Sequence, residues 1–129
     1  MDLHRQITVC PRVTSFNIDD WASASQAFKK SPSVCLGQHW LPHPQTGFLP
    51  SRVRTARTDN ALLVLAELDD ADIFNPSREF NAPAFKKGDV FEIFLRPIEQ
   101  EAYYAFHIGP DNQKFQLRVP SAKTFHEQP

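Results

Sequence analysis

The sequence predicts an all-β fold of short antiparallel strands, and three observations carry that expectation. Eleven prolines stand against four glycines; proline is kept out of helix and central-strand interiors, so the segments between prolines must be short. Eleven phenylalanines favour a pleated, half-buried surface over a small helical bundle. Most directly, three blocks follow one another: Gly88 to Pro97, Glu101 to Pro110 and Asp111 to Pro120. Each is a run of β-branched and aromatic residues closed by Pro or Gly-Pro, as consecutive strands joined by turns should be.

From the N-terminus, Ile7 to Val13 reads as an opening strand that Pro11 restricts to an edge. A short helix is expected after Asn17, capped by Asp19 or Asp20, with Lys29 and Lys30 near its C-terminus and Pro32 stopping it. Ser33 to Pro50 is loop-like, punctuated by Pro42, Pro44 and Pro50. His39 and His43 are four apart, but the prolines beside them rule against the helix that would aim both at one metal. Trp40 either stacks on a ligand or packs under its loop, and packing is the expectation. Arg52 to Thr58 alternates as a half-exposed strand, and Thr58-Asp59-Asn60 makes a turn. Ala61 to Leu68 is nearly all apolar and reads as a central strand buried on both faces. The acidic segment Asp69, Asp70, Asp72 offers oxygen ligands for a structural calcium, though a solvated acidic turn is the plainer reading. Asn75 to Lys87 is then a long connection delivering Phe85 to the Gly88-Asp89 turn.

Alternation assigns faces in the first two C-terminal strands. Phe91, Ile93 and Leu95 share one side, opposite Val90, Glu92, Phe94 and Arg96; Tyr104, Phe106 and Ile108 oppose Tyr103, Ala105 and His107. Assigning the two apolar sets to a core leaves Glu92, Phe94, Tyr103 and His107 on one mixed polar and aromatic surface.

The 129 residues with a net charge of -1 are expected to form a single domain: an arm with loops over 1–50, sandwich strands over 51–120 and a tail over 121–129. No basic field exists to hold a phosphate backbone, so nucleic acid is not an expected partner. No apolar run approaches membrane-spanning length, and Met1-Asp2-Leu3-His4-Arg5-Gln6 has no apolar signal core, so neither a membrane nor export is expected and the cytoplasm is. Cys10 and Cys35 are too few for a disulfide framework; unpaired thiols are expected, with one bridge open to them in an oxidising compartment.

The Gly-Asp-Val-Phe-Glu-Ile-Phe-Leu block at 88–95, the Tyr-Tyr-x-Phe-His-Ile strand at 103–108 and the Pro-Asp-Asn turn at 110–112 resemble the family 9 carbohydrate-binding modules. They are most similar to stand-alone family-9-like bacterial domains among the DOMON-like β-sandwiches. The resemblance covers positions 52 to 120 and implies an antiparallel β-sandwich of immunoglobulin-like jelly-roll type that binds a mono- or oligosaccharide without catalysis. It places Phe85 where the modules carry an aromatic wall, Glu92 where a glutamate accepts bonds from sugar hydroxyls, and His107 where a basic residue donates them. Asp89 fixes the turn, while Phe94 and Tyr103 extend the surface. Independently, a sugar needs aromatic rings for its C–H faces and rigid polar groups for its hydroxyls, and the alternation puts Glu92 and His107 on one side.

Other readings stand beside these. Glu92 is alternatively a solvated outward residue or a partner of Arg96 or His107, and Phe85 as a loop anchor belongs to the core. Ala105 occupies a position where many relatives carry an acid. The resembled modules continue beyond position 120 with strands that include a second aromatic wall, so a truncated sandwich is expected: a fragment, a fold whose missing layer a protein partner or a second copy supplies, or a reduced version. Glycosidase chemistry needs two facing carboxylates, and only Glu92 lies on the mixed face. The expected function is therefore non-catalytic sugar binding, with no cofactor beyond the calcium already named. The alternatives are an interaction or structural domain that has lost the site, and an accessory domain of a glycoside hydrolase in carbohydrate breakdown.

Overall fold

The structure, a computed structural model, describes residues 6–123. It is mostly strand, in two antiparallel three-stranded sheets with one short α-helix, so the all-β expectation holds at that level. The chain divides into two compact units, Met1–Asp70 and Ala71–Pro129. The end of the expected tail, from position 124, lies outside the described residues.

In the first unit, helix α1 spans Trp21–Ala27, and the Asp20 carboxylate caps it by accepting from the Ala22 amide at 3.0 Å. The helix stops before Lys29 and Lys30, so neither lysine lies in its last turn. Trp21 is 69% exposed; it is the first helical residue and no α1 side chain is buried. Phe28, just past the helix, is buried instead. Trp40, expected under its loop, is also exposed.

Strands β1 (Val34–Leu36), β2 (Ser51–Arg57) and β3 (Leu62–Glu67) form the first sheet in that order. β1 falls inside the expected loop. The β2–β3 hairpin pairs Arg52 with Glu67 through Arg57 with Leu62, and the Thr58 amide donates to the Ala61 carbonyl across the turn. β2, not the apolar β3, is therefore the central strand, and the one fully buried strand residue here is Ala56 on β2. An apolar run announces burial but does not count hydrogen-bonding neighbours, and β3 has one. The expected strand over Ile7 to Val13 reduces to a single parallel bridge between Arg12 and Arg57. The Arg57 amide donates to the Pro11 carbonyl and its carbonyl accepts from Val13, because Pro11 has no N–H with which to extend a ladder.

In the second unit β4 (Phe91–Leu95), β5 (Tyr103–Ile108) and β6 (Lys114–Val119) form an antiparallel meander, as expected. Its turns are closed by Gln100 N–H to the Pro97 carbonyl and Gly109 N–H to the Gln113 carbonyl, with Asn112 in the left-handed region. The buried residues are small or polar: Ala82, Ala84, Ala102, Ala105, Gly109 and Val119, with Asn75, Ser77 and His107. No helix among the described residues is long and apolar enough to cross a membrane.

Candidate functional site

Period-two geometry and the register determine which side chains meet. Glu92 lies directly opposite His107, and Phe94 opposite Ala105. On β6, Phe115 lies opposite His107 and Leu117 opposite Ala105. The connection from Ala71 to Lys87 ends in a 3₁₀ turn, Ala84–Lys86, which places Phe85 over the same face.

His107 is the centre of the cluster. Its ring centroid lies 5.2 Å from Phe85 and from Phe115 and 6.2 Å from Phe94, each in an edge-on arrangement. Phe94 in turn lies 6.2 Å from Tyr103. The imidazole is only 6% exposed, which corrects its expected place on an open surface. Strand alternation identified which residues share the face, but burial falls there and not on the expected core set. Ala105 and His107 are buried, whereas Phe91, Ile93, Leu95 and Phe106 are half-buried and Tyr104 and Ile108 are exposed. Phe85, arriving from the preceding loop, covers His107. His107 Nδ1 is 3.5 Å from Glu92 Oε1, an ion-pair distance effective when the imidazole is protonated, but neither ring nitrogen has a hydrogen-bond partner among the described residues. The chemically available groups are the Glu92 carboxylate, 36% exposed, and the rings of Phe85 and Phe94, 42% and 58% exposed. That is one acceptor and two apolar platforms gathered around His107, the kinds of group a sugar's hydroxyls and C–H faces require. Lys86 Nζ stands 5.9 Å from the Phe85 ring centroid, a cation on its flank.

Asp89 does not enter the cluster. It clasps the loop: its carboxylate accepts from the Phe74 amide at 2.7 Å, and its own amide donates to the Phe74 carbonyl at 2.8 Å. Two residues absent from the sequence expectations complete the support. Asn75, 3% exposed, donates from its side chain to the Ala84 and Asp89 carbonyls and accepts from the Ser77 amide. Gln113 donates from the β5–β6 turn to the Asn75 carbonyl at 2.8 Å. An asparagine in a proline-rich loop signals a turn, and nothing in the sequence distinguishes a buried one. Phe115 was legible in principle, since extending the alternation to a third strand puts it on the His107 face.

Asp69, Asp70 and Asp72 are all exposed, and among the described residues no three His, Cys, Asp or Glu side chains gather as a metal site. His39 contacts the Gln6 side chain and the Cys35 carbonyl. Cys10 and Cys35 are free thiols. An open depression of about 490 Å3 lies in the first unit, lined by Arg12, Thr14, Phe16 and the Thr58–Ala61 turn. Its charged groups, Arg12 and Asp59, already pair with each other at 2.6 Å, so the chemistry of the chain is better represented by the Glu92 cluster.

Compared with known proteins, the chain matches no protein-family model, no curated protein and no solved structure. Fold and site together define an all-β protein whose second sheet carries a carboxylate set among aromatic rings on one face.

Proposed function

We propose that this chain is a non-catalytic carbohydrate-binding domain, related in fold to the DOMON-like β-sandwiches and in site to the family-9-like modules. The observation that supports it is the exposed Glu92 carboxylate and the part-exposed rings of Phe94, on the same sheet face, and of Phe85, over it, all gathered around His107. The rings take the apolar face of a sugar and Glu92 accepts from its hydroxyls. His107, too buried to reach the ligand itself, lies beside Glu92 on the neighbouring strand. Binding is shallow and weak, because one acceptor and two phenyl rings give few fixed directions.

Calorimetric titration with mono- and oligosaccharides tests this, with the melting temperature as a second readout that ligand binding raises. A saturable signal is expected in the wild type and its loss in Glu92→Ala, with the cooperative melt of the variant retained. Binding that survives in Glu92→Ala excludes this site.

A second reading, an interaction or structural domain without a sugar ligand, is favoured by one specific observation. His107 presents neither nitrogen to solvent, so the donor half of the family's acceptor–donor pair is missing. A wild-type chain that melts cooperatively and responds to no sugar would select this reading.

A further inference from the structure

The two units solve the same problem in the same way at the edge of a sheet. An edge strand presents unpaired backbone N–H and C=O groups, a template for strands of another chain. In an antiparallel ladder these groups alternate, so only every second residue points them outward. On β6 the outward residue at the centre is Gln116. Its amide donates to Asn81 Oδ1 at 2.8 Å, and its carbonyl accepts from Asn81 Nδ2 at 3.5 Å. On β1, three residues long, Val34 and Leu36 flank the single outward residue, Cys35. Its amide donates to Gln6 Oε1 at 3.1 Å and its carbonyl accepts from Gln6 Nε2 at 2.7 Å.

In both cases one primary amide side chain makes the donor–acceptor pair that a neighbouring peptide would make. The local backbone at Asn81 is set for this: φ is 50°, in the left-handed region that asparagine tolerates better than other non-glycine residues. The flanks of Gln116 act in the same direction. Lys114 and Arg118 share its outward orientation, and two β6 strands paired antiparallel about Gln116 would set Lys114 of one copy opposite Arg118 of the other. Like charges directly opposed are destabilising. Gln116 is the one uncharged outward position on the strand, and it is the one that Asn81 occupies.

We infer that Asn81 and Gln6 are edge guards, side-chain amides that stand in for a neighbouring strand and keep β6 and β1 from pairing with strands of a second copy of this chain. The guard is independent of the sugar site, since neither residue belongs to the Glu92 cluster.

The test compares the full-length chain with Asn81→Gly, Gln6→Ala and the double variant. Glycine retains access to the left-handed backbone at 81 while removing the amide. Amide hydrogen exchange reads the caps, and sedimentation velocity across a concentration series reads association. Exchange at Gln116 in Asn81→Gly and at Cys35 in Gln6→Ala is expected to be at least ~10-fold faster than in wild type, the effect of losing a bond of about 1.4 kcal/mol. The average mass of the double variant is expected to rise with concentration while the wild type stays constant. Unchanged exchange at both amides overturns the inference, because the caps then do not exist. Faster exchange without association overturns it as well, as does a wild type that associates as strongly as the double variant. Should Asn81→Gly lose its cooperative melt, Gln6→Ala carries the test alone: association supports the guard, and a constant mass with an unprotected Cys35 amide refutes it.

Discussion

At Gly88 the loop of the second unit packs tightly against the Phe74–Asn75 backbone, and replacing it by alanine tests how the site is held. A Cβ at position 88 would lie 2.2 Å from the Phe74 carbonyl oxygen and 2.9 Å from Asn75 Cα. Ordinary contacts sit at about 3.5–4.0 Å. Neither atom can yield as a side chain would, because both are backbone and both are tied down. Asp89 exchanges two hydrogen bonds with Phe74, and Asn75 reaches the Asp89 carbonyl at 3.0 Å. Gly88→Ala therefore forces the segments apart by on the order of 1 Å and loosens that clasp. Overpacking costs about 1–3 kcal/mol and each released hydrogen bond about 1 kcal/mol net, so a loss of about 3 kcal/mol is expected. Urea denaturation measures it, at a midpoint lower by roughly 1–3 M for a domain of this size. The two tyrosines, Tyr103 and Tyr104, both lie on β5 and the two tryptophans, Trp21 and Trp40, both lie in the first unit, so their spectra report the two units separately. The loss should appear in the tyrosine signal. Gly47→Ala is the control: φ is +84° with nothing within 4 Å of the added carbon, so only the left-handed backbone term of about 1–2 kcal/mol applies. A Gly88→Ala chain within about 0.5 kcal/mol of wild type, the range of an ordinary surface change, would refute the close approach and with it the placement of Phe85.

His107→Phe keeps a planar ring and deletes two buried nitrogens that have no hydrogen-bond partner; thermal unfolding should show stability within about 1 kcal/mol of wild type, or above it. A loss beyond about 3 kcal/mol would mean that the imidazole is held by a strong polar contact. Asn75→Ala leaves the Ala84 and Asp89 carbonyls and the Ser77 amide without their partner and should cost about 2–4 kcal/mol in urea denaturation. A cost under about 1 kcal/mol would show that water replaces the side chain there.

The sheet of the second unit was legible because its rules are local. Proline and glycine end each block, and the two-residue period fixes which side chains share a face, so Glu92 and His107 fall on one side of the sheet by sequence alone, and the register sets them directly opposite. Burial was not legible, because it depends on what arrives from elsewhere in the chain. His107 is covered by Phe85 and Phe115, whereas Trp21, a large ring, stays exposed. β1 escaped notice since three residues flanked by loop carry no periodicity, and its pairing to β2 creates it. The apolar composition of β3 suggested a central strand, yet position in a sheet is a property of neighbours rather than of composition. The acidic run at 69–72 is a similar case: carboxylates close in sequence do not by themselves converge on one point.

The clasp around Asn75 also orders events in time. The β4–β5 and β5–β6 turns close over few residues, at Pro97–Gln100 and Gly109–Gln113, and short closures form fast. The bond from Gln113 to the Asn75 carbonyl spans 38 residues, and its closure entropy is met only once the meander exists to receive it. The three strands thus assemble as a scaffold, and the loop bearing Phe85 docks afterwards. Changes in the clasp are then felt chiefly as faster unfolding, with little effect on the rate of folding. The loop that covers the Glu92 face is thus expected to be the last part of the unit to form and the first to come apart.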